Sequence, residues 1–132
     1  GQTIKQISEN EFPVAYSQLY INSDSKEIFA VDSLSCCIIV YDFLNKKIQW
    51  TSDKLPNNIF TPPVKSGKYL IVADIKQNLY RFDYQSNNTK PVTLKINSGV
   101  LSNIISYGNK IYFIAKDGLF YIVNVDWIMN LH

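Results

Sequence analysis

Three segments of this chain read alike and are evenly spaced. Lys26-Glu-Ile-Phe-Ala-Val-Asp32, Lys68-Tyr-Leu-Ile-Val-Ala-Asp74 and Lys110-Ile-Tyr-Phe-Ile-Ala-Lys116 follow one another at steps of 42 residues. Each is a lysine, then a run rich in β-branched and aromatic residues, then a charged residue where a turn is due. A unit that recurs at fixed spacing must bury its apolar faces against copies of itself, and this constrains the fold more than any other feature.

The middle copy shows the unit most fully, between Phe60 and Asp83. Pro62 to Lys65 reads as a short first strand and Ser66-Gly67 as a turn. Lys68 to Ala73 is a second strand, Asp74 to Asn78 a second turn, and Leu79 to Asp83 a third strand. The polar connection Gln85 to Lys90 is the most exposed-looking loop, and Pro91 to Ile96 follows it as a fourth strand. Upstream, the corresponding strands are Gln18 to Asn22, Glu27 to Asp32, Cys37 to Asp42 and Lys47 to Thr51. Downstream they are Ser102 to Tyr107, Lys110 to Ala115 and Leu119 to Val125, with Lys116-Asp117-Gly118 as an Asp-Gly hairpin signal. The run Cys36 to Tyr41 is apolar on both faces, as in a strand sandwiched between sheets. Pro62 and Pro63 lack ladder donors and belong at a strand edge or just before a strand.

About four short strands in every roughly 40 to 45 residues is the spacing of β-propeller blades. The expectation is therefore an all-β chain forming one propeller segment, in blades of four antiparallel strands at about 12–53, 54–97 and 98–126. Thr3 to Ile7 fits the outer strand of an adjoining or closing blade, so the chain begins on a fourth strand and stops after a third. Three blades fall short of the roughly four to eight that close a ring. Either the propeller is partial, or copies associate through open blade edges, with Thr3 to Ile7 pairing against Leu119 to Val125.

The composition suits a packed core, with 46% hydrophobic and 14% aromatic residues among 132. The net charge is +2, the lysines are scattered, and Arg81 is the sole arginine. That argues against nucleic-acid recognition, which clusters its charge and leans on arginine. No apolar run approaches the roughly 18 to 20 residues that cross a bilayer. Gly1-Gln-Thr-Ile-Lys5 is no signal peptide, and Gly1 in place of Met reads as a processed or engineered start. Cys36 and Cys37 read as two reduced thiols at the start of a strand, since neighbours bridge only as a strained ring.

Residues able to carry chemistry are few. His132, the only histidine, is the last residue, so neither a structural zinc site nor a Ser-His-Asp arrangement is available. Asp32, Asp42, Asp74, Asp83 and Asp117 fall at strand ends or turns, where a carboxylate accepts backbone N–H groups, and this recurrence reads as one structural task repeated. Tyr20, Phe29, Tyr41, Tyr69, Tyr80, Phe82, Tyr112, Phe113, Phe120 and Tyr121 lie in strands and read as packing between blades. Phe60, Pro62 and Pro63, just ahead of a first strand, form the one candidate partner-binding surface. No catalytic, cofactor-binding or metal-binding residue is expected, and no cofactor.

Thr61-Pro-Pro-Val64, Ser66-Gly67, Tyr69-Leu-Ile-Val72, Asp74, Leu79-Tyr-Arg-Phe-Asp83 and Ile48-Gln-Trp50 together resemble the blade of the PQQ-type β-propeller repeat family. The succession Ile48-Gln-Trp50, Phe60-Thr-Pro-Pro63 and Ile114-Ala-Lys-Asp-Gly118 is similar to the last blades of the BamB-like lipoproteins of outer-membrane β-barrel assembly. The resemblance implies the last third of an eight-bladed protein, a non-enzymatic scaffold associated with the outer membrane on its periplasmic side. It implies as partner the β-barrel assembly machinery, through the periplasmic domains of its barrel subunit. Two further readings share the blade. One is a quinoprotein dehydrogenase fragment, whose relatives carry a vicinal disulfide over the cofactor where this chain has Cys36-Cys37 running into Ile38-Ile-Val-Tyr41. The other is a generic peptide-binding propeller.

Overall fold

A computed structural model describes residues 16–22 and 24–127. The expected strand Thr3 to Ile7 and His132 lie outside the described residues. Among the described residues eleven strands form three separate antiparallel sheets, each a simple meander. The first contains β1 (Tyr16–Asn22), β2 (Glu27–Asp32), β3 (Cys37–Asp42) and β4 (Lys47–Thr51). The second contains β5 (Val64–Ser66), β6 (Tyr69–Ala73), β7 (Asn78–Phe82) and β8 (Val92–Lys95). The third contains β9 (Ile105–Tyr107), β10 (Lys110–Ile114) and β11 (Phe120–Asn124).

β2, β3 and β4 match the expected ranges. The first strands of the other two sheets are shorter than the sequence suggested, starting at Val64 and Ile105. Pro62 and Pro63 precede β5 instead of belonging to it, because each lacks the N–H a ladder needs. A short 3-10 turn, Tyr84–Ser86, opens the long connection to β8. That connection is exposed as expected, yet it is tied back to the segment that follows β4. Asp53 N–H donates to the Thr89 carbonyl at 2.9 Å, and Lys90 Nζ lies 3.2 Å from Asp53.

The hairpins of the first sheet share one loop design. Four residues separate Asn22 from Glu27, Asp32 from Cys37 and Asp42 from Lys47, and the fourth residue is left-handed each time: Lys26, Cys36 and Lys46 at φ 59°, 56° and 56°. The first hairpins of the other sheets use two-residue loops, Gly67-Lys68 and Gly108-Asn109, with positive φ only at the glycine. That is the type II′ geometry whose twist matches paired strands.

Sheets bury their faces against each other in sequence. Leu70, Val72, Tyr80 and Phe82 of the second sheet pack on Phe29, Val31, Ile38, Val40 and Trp50 of the first. Trp50 meets Phe82 and Tyr84 edge-on, with ring centres 5.4 and 6.1 Å away. Val64, Ile71, Ala73 and Leu79 point the other way, onto Ile104, Ile111, Phe113 and Val125. β6 and β7 are therefore buried on both faces, because both are covered. Arg81 closes the second junction. Its guanidinium donates to the Val125 carbonyl and lies 4.3 Å from the ring centre of Tyr69 and 5.3 Å from that of Trp127.

Candidate functional site

In a meander, loops alternate between two ends. One end collects the turns between second and third strands together with the connectors from sheet to sheet, residues 52–63 and 96–104. Phe60, Pro62 and Pro63 lie here, in the first of these connectors. Phe60 is exposed, Pro62 is half-buried, and Pro63 is buried and offers no surface.

The backbone around Phe60 is clamped. The N–H groups of Phe60 and Thr61 both donate to the Ala73 carbonyl, at 2.8 and 3.4 Å, and Ala73 N–H donates to Thr61 Oγ1 at 2.9 Å. The next connector repeats this device. Leu101 and Ser102 N–H groups donate to the Ile114 carbonyl at 2.8 and 3.2 Å, and Ile114 N–H donates to Ser102 Oγ at 2.8 Å. Leu101 thus stands where Phe60 stands one sheet earlier, exposed likewise. Reading the sequence for aromatics and prolines missed it; the hydroxyl residue that follows, Thr61 and Ser102, was the usable signal.

The turns at this end are held by aspartates. Asp32 Oδ1 accepts the N–H groups of Leu34 and Ser35 at 3.0 and 3.3 Å, and its Oδ2 accepts the Ser35 hydroxyl at 2.6 Å. Asp117 Oδ1 accepts Leu119 N–H at 2.9 Å, and its Oδ2 accepts Tyr121 Oη–H at 3.1 Å. Asp74 is buried and the most heavily bonded. It accepts the N–H groups of Lys76 and Asn78 at 2.9 and 3.2 Å, Asn78 Nδ2 at 2.8 Å, Tyr80 Oη at 2.7 Å and Asn57 Nδ2 at 3.0 Å. Burial pushes the Asp74 carboxyl up, but the bonds from Asn78, Tyr80 and Asn57 outweigh it and hold the group below its ordinary range. Because Asn57 belongs to the connector, this one carboxylate locks connector and hairpin together.

At the opposite end Asp42 performs the same task, accepting Leu44 and Asn45 N–H groups at 3.0 and 3.1 Å. Asp83 does not share it. Its carboxylate sits 3.8 Å from Lys68 Nζ, and only its main-chain carbonyl serves the turn, accepting Ser86 N–H and Oγ–H. The reason is loop length. A four-residue hairpin brings N–H groups back over the carboxylate, whereas the long connection after β7 leads away.

These clamps hold a set of exposed apolar side chains at one end of the sheets: Leu34, Phe60, Ile75, Leu101 and Leu119. A cleft of about 190 Å³ lies at the same end, at the first junction, lined by Val31, Asp32, Ser33, Cys36, Asn58 and Ile59. Cys36 and Cys37 are free thiols. Cys36 is the last loop residue, with Sγ 3.4 Å from Asn58 Oδ1, and Cys37 begins β3 with Sγ 3.5 Å from the Ser35 carbonyl. Among the described residues no three His, Cys, Asp or Glu side chains group as metal ligands would. Nor is any described helix long and apolar enough to cross a membrane.

No protein-family model matches the chain, and no characterised protein matches it by sequence. Solved structures do match by shape. BamB from Moraxella catarrhalis aligns over 80% of this chain with a TM-score of 0.66 at 15% identity. The β-propeller domain of Cps50 (Swd1) from Myceliophteria thermophila aligns over 91% with a TM-score of 0.70 at 12% identity. The chain spans only 32% and 38% of those two proteins. Three stacked antiparallel sheets aligned with part of two propellers lead to one conclusion: this chain has the fold of a partial β-propeller, and its sheets are blades.

Proposed function

We propose that the chain is a non-catalytic protein-interaction scaffold, and that it binds its partner through the end of the blades bearing Leu34, Phe60, Ile75, Leu101 and Leu119. The observation that carries this reading is the repeated clamp. Two successive connectors and three successive hairpins spend hydrogen bonds on fixing loops whose outward side chains are apolar. Rigid apolar anchors lose little entropy on binding, which suits them to a protein partner.

The finer form of the proposal is a BamB-like role, supporting assembly of β-barrel proteins from the periplasmic side of the outer membrane. The blade motifs and the shape likeness to BamB support it. The test is capture of the barrel-assembly subunit's periplasmic domains by the immobilised chain. Phe60→Ala and Leu101→Ala should each weaken capture about 5- to 30-fold, the size expected of a residue near an interface centre. Undiminished capture by the double variant would place the contact elsewhere, and no capture by wild type would favour a generic peptide-binding propeller. A bound quinone spectrum with turnover of an alcohol would sink the scaffold reading.

A further inference from the structure

We propose that the partner segment taken by the loop end of the blades is acidic, with carboxylates set between its apolar side chains. The inference rests on the scaffold reading and names the chemistry of the partner. It follows from how charge is spent at the end that carries Phe60 and Leu101. Among the described residues, every carboxylate in the turns and connectors of this end is engaged inside the protein. Asp32, Asp74 and Asp117 accept N–H groups of their own turns, and Asp53 lies 3.2 Å from Lys90 Nζ. The cations of the same end are not spent. Lys54, Lys76, Lys95 and Lys116 are exposed, and none of them forms an ion pair among the described residues.

Two of these lysines flank the second junction. Lys116 N–H donates to the Gly99 carbonyl at 2.7 Å. A methyl group on Gly99 would stand 2.6 Å from the Lys76 carbonyl, and 3.2 and 3.3 Å from Cδ and Cε of Lys116. The connector therefore bears no side chain at that point, and the Lys116 stem crosses it beside the main chain of Lys76. Both lysines adjoin apolar anchors, since Lys76 follows Ile75 and Gly99 is two residues before Leu101. A segment laid on Ile75 and Leu101 thus meets two ammonium groups that have no carboxylate of their own among the described residues.

Carboxylates suit this pattern better than phosphates. Recognition of a phosphate backbone gathers cations in clusters and leans on bidentate arginine. Here single lysines lie between aliphatic and aromatic side chains. Arg81 is buried and bonded to Val125, beyond the other end of β11. Ammonium groups around apolar contacts steer an oppositely charged segment and select against a basic one.

Selection of a phage-displayed library of random short peptides against the immobilised chain tests this. Affinities are then measured for the enriched peptides and for their amide forms, with Gln and Asn in place of Glu and Asp. The expected peptides carry Asp or Glu beside Leu, Ile or Phe, and bind more weakly as amides. Lys76→Glu and Lys116→Glu should each weaken the acidic peptides roughly 3- to 10-fold and the amide forms hardly at all. Lys46→Glu, exposed at the opposite end, should change neither. A selection that yields neutral or basic peptides, or none, overturns the proposal. So do charge reversals without effect, or single-stranded DNA or phosphatidylglycerol vesicles that bind more tightly than the peptides with the same lysine dependence. The anchors are tested separately by Phe60→Ala and Leu101→Ala. If both keep the acidic peptides while the charge reversals lose them, the acidic partner is upheld and the anchors fall. The reverse result upholds the anchors and overturns the acidic partner.

Discussion

Tyr84 Oη lies 2.9 Å from Glu27 Oε1, a buried hydrogen bond between the second blade and the first. The Tyr84 ring also meets Phe29 edge-on at 5.8 Å and Trp50 at 6.1 Å, so one side chain supplies packing and polarity to the same junction. Glu27, for its part, accepts the Ser25 hydroxyl as well. Burial, then the bond to Glu27 and its charge, push the Tyr84 phenol above its ordinary range.

Tyr84→Phe keeps the packing and removes the bond, leaving a buried carboxylate with one partner fewer. The expected loss is about 1.5 to 3 kcal/mol, read as a lower urea midpoint at unchanged slope. The phenol favours its protonated form in the fold, so its contribution is complete below the unfolded value near pH 10 and is lost as pH rises beyond it. The wild type should therefore weaken above about pH 10 more steeply than Tyr84→Phe. Equal slopes would sink this account.

Asp74 has the opposite sign. Its carboxyl is held low, so its contribution is present above the unfolded value near 3.9 and is lost as pH falls through the lower folded value. Asp74→Ala leaves Tyr80, Asn78 and Asn57 without their acceptor inside the protein, at an expected cost of about 3 kcal/mol near neutral pH. As pH falls below that unfolded value the gap to wild type should narrow. A gap that stays constant with pH would show that Asp74 matters only for shape.

Lys46 pays for its left-handed backbone with nothing visible in return, since its side chain is exposed. Lys46→Gly removes about 1 kcal/mol of strain and should raise the melting temperature by a few degrees. Gly118→Ala, at φ 84°, should lower it, although nothing stands within 4 Å of the added methyl. The pair separates backbone strain from packing: a thermal melt in which both substitutions are neutral would contradict the assignment.

Trp50→Ala empties the first junction, where the indole packs on Phe82 and Tyr84, and should cost about 3 to 5 kcal/mol. Trp50→Phe should cost less, partly because the buried Nε1 has no hydrogen-bond partner among the described residues. A chemical denaturation series in which Phe is as damaging as Ala would overturn that reading.

The strand rhythm was legible because it is local. Glu27 to Asp32 and Cys37 to Asp42 are apolar runs bounded by turn residues, and the carboxylates of Asp32 and Asp42 bond N–H groups two and three residues on. Asp83 broke the pattern only because the loop after it is longer. The candidate site was legible in part: Phe60 was visible as an exposed aromatic beside prolines, whereas Leu101 and Leu119 are ordinary aliphatic residues in sequence.

Period, turn chemistry and the recurrence of one unit thus followed from the chain alone, since each depends on residues within a few positions of one another. Burial depends on what lies across a junction, and that the chain alone did not specify. Glu27 and Tyr84 meet from different blades, Pro63 is buried while Phe60 beside it is exposed, and Arg81 reaches Val125 to close the second junction. Ile111 and Ile122 are both isoleucines on neighbouring strands of one blade. One is buried against the second blade and the other is left bare, because a pleated strand sends alternate residues to opposite faces and only one face of this blade has a neighbour among the described residues.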